Sequence, residues 1–344
     1  MQLPPGVRRE LVPLTAEDGA ACQGVLYGRE DVRPGVALVL MHPTVSFLHH
    51  YALAPLAARG YAAFGADSRY TGNEAPLLMD RVAADLSAAI AWLRERFPKV
   101  VLVGNSGGGA LAAYHQARHG AADALVLLNA HRGRAQVLTA WLDPAVTDER
   151  DPLSVDPELD LFDARRRPPF DPEFVHRYRA AQEARNRRIS DWARERLRTF
   201  DEPFVVHRTA ADPRFLDLSL DPSDREVGTY WGPDVRAANY APLGLGRFAT
   251  CRSWLSQWSL DDAEAEAEPN LAACQVPVLV VQGTADQGIF PSDTRALFDS
   301  VRGDRELVWI PGGTHYFLGQ PEHQRTVYET LERWLAARGL RPSR

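Results

Sequence analysis

Unbroken apolar runs recur along the chain at Val36–Met41, Val100–Val103 and Ala124–Leu128, and after a long gap strands are predicted again at Val276–Val281 and Glu306–Ile310. A run with no polar alternation is what a strand buried on both faces requires. Between the runs the period changes. Leu78, Val82, Leu86, Ile90, Leu93 and Phe97 recur at three- and four-residue steps, which predicts an amphipathic helix. Further helices are predicted at Gly107–Gln116 and Asp293–Val301, and a last one on Val327, Leu331 and Leu335 is stopped by Gly339. A short strand is predicted at Tyr61–Ala66. Residues 8–28 alternate weakly around Glu17-Asp18-Gly19, as an antiparallel edge pair would. Strands alternating with helices predict an α/β fold, a mostly parallel sheet covered on both faces.

The rhythm fails between about Arg132 and Glu268. Pro-, Asp- and Arg-rich turns, an arginine-laden helix near 173–200 and an aromatic segment predict a mainly helical lid over one end of the sheet. The expected division is a core of residues 1–131 and 269–344 with a lid at 132–268. The acidic stretch Asp261–Glu268 reads as a solvated link.

Composition narrows the chemistry. The net charge of −6 argues against a nucleic-acid partner. The longest apolar run falls far short of the ~20 residues a bilayer needs, so no membrane partner is expected. The N-terminus shows no signal-peptide core and the three cysteines are widely spaced, which makes the cytoplasm the expected compartment. Of 39 basic residues only Lys99 is a lysine. It precedes a strand, where neither a Schiff base nor a phosphate-binding loop would use it.

Gly104-Asn105-Ser106-Gly107-Gly108 fits G-x-S-x-G where that motif belongs, after a buried strand and before a small-residue helix. A dinucleotide fingerprint overlaps it at Gly107–Ala112, but no acid ends the next strand to hold a ribose. A serine nucleophile needs a base, and the base needs an orienting acid. Asp286 follows the run ending at Val281, and His315 follows the run ending at Ile310. Both stand past carboxyl ends of strands, where a parallel sheet presents its chemistry. Asp293 opens a helix and reads as a cap, and His49-His50 lack the company a metal site needs.

With the Gly-Asn-Ser-Gly-Gly turn, the Gly-Thr-Ala-Asp loop and the Gly-Gly-Thr-His loop in the order Ser, Asp, His, the chain from about Leu11 to Leu335 resembles the α/β-hydrolase superfamily. That resemblance implies an oxyanion hole from the Gly107 N–H and a second donor after the first buried strand. There the chain reads His42-Pro43-Thr44-Val45, where the superfamily commonly has His-Gly. Proline has no N–H, so the expected donor is Thr44, then Val45. The stretch Asp67–Gly72 resembles a structural Asp-x-Arg-Gly segment of the same superfamily.

The expectation is a carboxylic ester hydrolase working on a small molecule, without cofactor or metal. Amide, thioester or carbon–carbon hydrolysis, acyl transfer and a non-catalytic binding role stay open. Phe248, Trp254 and Trp258, with Tyr316 beside His315, are the expected substrate contacts, and nothing in the chain bars a homo-oligomer.

Overall fold

The computed structural model describes residues 3–342. Eight strands make one sheet: β1 (Val7–Thr15), β2 (Ala21–Arg29), β3 (Val36–His42), β4 (Ala62–Asp67), β5 (Lys99–Asn105), β6 (Ala124–Leu128), β9 (Val278–Gly283) and β10 (Arg305–Ile310). Their spatial order is β1-β2-β4-β3-β5-β6-β9-β10. β1 and β2 pair antiparallel, as do β2 and β4; from β4 onward every pair is parallel.

The apolar runs are split by the pleat. Ala37, Val39 and Met41 of β3 face a layer built on α2 (Met79–Arg94) and α3 (Gly108–His119). Val36, Leu38 and Leu40 face α1 (Leu53–Ala58) and α10 (Pro321–Ala337). Both sets are buried, which is why no alternation is visible in the sequence. α1 went unpredicted because six residues are too short to show a helical period.

Between β6 and β9 the chain forms α4 (Arg134–Trp141), α5 (Pro172–Leu197), a ribbon of β7 (Pro203–Val205) and β8 (Phe248–Thr250), α6 (Val235–Tyr240), α7 (Cys251–Gln257) and α8 (Ala267–Ala273). After β9, α9 (Pro291–Ser300) leads back to β10. The segment has its own apolar centre, in which Leu138 and Leu142 meet Ile189, Ala193 and Trp254. It departs from β6 and returns to β9 at one place, where the Ala267 N–H donates to the Arg132 carbonyl at 2.5 Å. Among the described residues no helix is long and apolar enough to cross a membrane.

The acidic stretch is exposed at Asp261, Asp262 and Glu264, as a solvated link would be, but its carboxylates are paired. Asp262 pairs with Arg194, Glu264 with Arg118 and Glu268 with Arg132. Arginines brought from α3, α5 and the loop after β6 turn a charge run into a seam. Glu266 is the exception. One carboxyl oxygen accepts from the Ala135 N–H at 3.3 Å, and the other has no partner among the described residues. Burial pushes this carboxyl from about 4.5 up to about 8, and Glu268 adds repulsion.

The sign follows from proton counting. Between about pH 5 and 8 the folded chain holds a proton at Glu266 that the unfolded chain has released, so stability falls as pH rises through that window and levels above it. Glu266→Gln is expected to lose this decline, so that its Tm gains on the wild type between pH 5 and 8. A Tm difference independent of pH would count against a protonated Glu266.

Candidate active site

The turn between β5 and α3 is the tightest part of the sheet's active edge. Ser106 sits there with φ +56°, a left-handed conformation that costs a non-glycine residue on the order of 1–3 kcal/mol. Main-chain bonds hold it: its N–H donates to the Leu128 carbonyl at 3.1 Å, and its carbonyl accepts from His131 N–H at 3.0 Å. The glycines allow the crossing. A Cβ on Gly104 would lie 2.5 Å from Gly109 Cα, and one on Gly109 would lie 2.4 Å from the Ala130 Cβ.

The structure brings the three sequence-predicted residues into one hydrogen-bonded row. Ser106 Oγ lies 2.9 Å from His315 Nε2, and His315 Nδ1 lies 2.7 Å from Asp286 Oδ2. All three are nearly sealed from solvent, at 4%, 3% and 1% exposed. The N–H groups of Gly288 and Ile289 donate to Asp286 Oδ1 at 2.8 and 3.0 Å, and Gln282 Nε2 donates to Oδ2 at 3.2 Å. These donors hold both carboxyl oxygens in place as acceptors. Asp286 therefore accepts the His315 Nδ1–H, which leaves Nε2 free to accept from Ser106. Asn129, itself at φ +42°, locks the two loops together by donating to the His315 carbonyl at 2.6 Å and accepting from the Gly283 N–H at 2.8 Å. Asp293 behaves as the cap expected of it, accepting from the Phe290 N–H at 3.2 Å.

A second histidine reaches the serine. His131 Nε2 stands 3.1 Å from Ser106 Oγ, and since the hydroxyl proton is directed to His315, His131 is the donor in this contact. Burial, with the neighbouring His315 and Arg134, pushes His131 down to about 3, so its ring is neutral near pH 7. Tyr230 stacks on His315 at 5.2 Å between centroids, and Tyr316 meets the same ring edge-on at 4.4 Å. Arg134 is buried, pairs with Glu74 at 2.6 Å and lies 4.1 Å over the Trp258 ring. Sequence reading passed over His131, although it stands past β6 as Asp286 and His315 stand past β9 and β10. Position at a carboxyl end was the available signal.

Ser106 opens on a cavity of about 190 Å³ walled by Val137, Tyr230, Trp231, Leu245, Trp258 and Tyr316. Two expected contacts do not reach it. Trp254 is fully buried in the insertion's apolar centre, its indole N–H donating to Ser190 Oγ at 3.0 Å. Phe248 lies half-exposed in the ribbon. Phe248 precedes the helix, which begins only at Cys251, where Thr250 and Ser253 cap it reciprocally. The Thr44 side lines the cavity, yet its N–H and that of Val45 donate to His42 Nδ1 at 3.1 and 3.0 Å. The expected second oxyanion donor is thus already engaged. Among the described residues the Gly107 N–H has no such partner.

Comparison with solved structures places this fold among known ones. The chain is similar to a hypothetical protein of Pseudomonas aeruginosa (13% identity, TM-score 0.58, covering 96% of this chain and 95% of that one). It is also similar to the esterase domain of a Rhodothermus marinus protein (16%, 0.53, 95% and 98%) and to Est1E of Butyrivibrio proteoclasticus (13%, 0.55, 95% and 98%). At such identities the likeness is one of fold. Comparison with curated proteins gives no match. The model of the alpha/beta hydrolase family matches residues 38–327, from β3 into α10. With the match spanning most of the chain, the protein belongs to the alpha/beta hydrolase family.

Proposed function

We propose that this protein hydrolyses carboxylic esters of modest size through an acyl-enzyme on Ser106. The observation that carries the reading is the row from Asp286 through His315 to Ser106, sealed along its length and open to a cavity only at the serine. His315 takes the hydroxyl proton as Oγ attacks the ester carbonyl, then returns it to the departing alcohol. Water, deprotonated by the same ring, attacks the acyl-enzyme and releases the acid. Asp286 holds the tautomer and offsets the charge that His315 gains. The Gly107 N–H is the first donor to the oxyanion.

The small cavity with aromatic and aliphatic walls favours a short apolar or aryl acyl group. Esterases among the fold neighbours support the choice of ester over amide or thioester.

Ser106→Ala is expected to fold and to lose on the order of 10⁴–10⁶ in kcat against p-nitrophenyl esters, with loss of labelling by a fluorophosphonate probe. A variant retaining a tenth of wild-type turnover would reject Ser106 as nucleophile.

Asp286→Asn should cost on the order of 10³–10⁴ in kcat by disturbing the imidazole tautomer, whereas Asp293→Asn should stay near wild type. The reverse ranking would move the orienting acid to Asp293.

The two tryptophans should separate. Trp254→Ala is expected to lower stability by about 3–5 kcal/mol while leaving the ratio of kcat/KM between short and long acyl esters unchanged. Trp258→Ala should change that ratio, because this ring walls the cavity. Equal ratios in both variants would remove Trp258 from the substrate pocket.

A further inference from the structure

An oxyanion forming at Ser106 needs donors besides the Gly107 N–H, since one hydrogen bond leaves most of its charge unmet in a dry site. The main chain opposite Gly107 is poorly able to help. Pro43 has no N–H, and the Thr44 and Val45 amides both donate to His42 Nδ1, at 3.1 and 3.0 Å.

Those two bonds say something about the ring itself. A backbone amide can only donate, so Nδ1 is an acceptor without a proton, and the hydrogen of the neutral ring is on Nε2. Burial, together with the nearby Arg134, His131, His315 and His50, pushes the His42 pKa well down and keeps the ring neutral. The ring is also held in place, by the paired amides on one side and by Phe47 at 5.5 Å between centroids on the other.

Nε2 makes no hydrogen bond among the described residues, and it is not walled off. His42 lines the cavity with Ser106 and Gly107, and its Nε2 stands 2.7 Å from the point where a Cβ on Gly107 would be. A fixed, uncommitted donor therefore stands against the residue that carries the first oxyanion donor. The geometry points to the His42 Nε2–H as the second donor to the oxyanion, in place of a main-chain amide of the Pro43–Val45 turn. This inference rests on Ser106 being the nucleophile.

No proton is transferred in this role. The Nε2–H bond lengthens toward the alkoxide as the tetrahedral centre forms and relaxes when the centre collapses, while the proton shuttled in the reaction stays with His315. A donor on a rigid ring needs no reorganisation as charge develops, which is where such groups gain their effect. Absence of glycine at position 43 ceases to be a defect: the turn's amides orient the ring, and the ring meets the substrate.

The test uses the whole protein, with its histidines labelled with ¹⁵N in the ring. The His42 signals are assigned by their loss in His42→Gln or in His42→Phe. Long-range ¹H–¹⁵N spectra are expected to show His42 as the Nε2–H tautomer. Its Nε2 proton should move downfield when phenylboronic acid forms a tetrahedral adduct on Ser106. An Nδ1–H tautomer, or an Nε2 proton unmoved by the adduct, would overturn the inference. In kinetics, His42→Phe, which keeps the ring's bulk, should lower kcat on the order of 10²–10³-fold with KM little changed, and His42→Gln, which retains a donor, should fall in between. A folded His42→Phe with kcat within tenfold of wild type overturns it as well. So does a loss of that size in Tyr316→Phe instead, since the Tyr316 phenol also lies beside Ser106. If the His42 variants do not fold, the wild-type adduct still decides, because of the two neutral-ring Nε2 protons expected to move, that of His131 is identified by its absence from the His131→Gln spectrum and the other is that of His42. Failure of the wild type to bind the boronic acid or to label with a fluorophosphonate would instead defeat Ser106 as nucleophile.

Discussion

Everything at the active edge hangs on how closely β5 and α3 cross. The Gly104–Gly109 approach leaves no room for a methyl group, and that proximity lets Ser106 be held at positive φ by bonds to Leu128 and His131. The strain is local, and the burial that opposes it is distributed over two apolar layers. The stable sheet keeps an unfavourable turn in place, and the turn lifts one hydroxyl clear of its own backbone.

Around that hydroxyl the protein has gathered polar groups that cost free energy to bury unless paired. Asp286 has three donors besides His315, and Arg134 has Glu74. His42 and His131 meet the cost differently, by remaining neutral and presenting one defined N–H each. The site thus concentrates directed dipoles with few net charges, a composition suited to stabilising charge that exists only briefly.

The middle of the sheet was legible because its strands are buried on both faces and α2, α3 and α10 are long enough to show a period; β6 lies where the sequence places it, from Ala124 to Leu128. Ser106, Asp286 and His315 were legible because each sits at the carboxyl end of a strand with a recognisable loop. The rest depended on contacts that spacing does not encode. Trp254 and Trp258 are four residues apart, but Trp258 lies just past the end of the helix, and one faces Ser190 while the other faces a guanidinium and the cavity. Likewise Thr44 could be selected by excluding Pro43, but nothing in the sequence says that its amide turns back onto His42.

The bond between Ala267 and Arg132 has a consequence for how such a chain can change over time. Everything between those residues leaves the sheet and returns to it at one point, so the sheet perceives the whole segment as a single closed bead. Lengthening, shortening or exchanging that bead leaves the spacing of β6 and β9 untouched, because their register is set by each other. What would need to be rebuilt are the residues the bead lends to the cavity, among them Arg134, Tyr230 and Trp258, and its contacts with the core, such as Ser253 and Gln257 on the main chain of Ala75 and Leu77 and Arg214 on Asp293. The turn that holds Ser106 and most of the chain that walls the cavity above it therefore lie on separate stretches of one polypeptide.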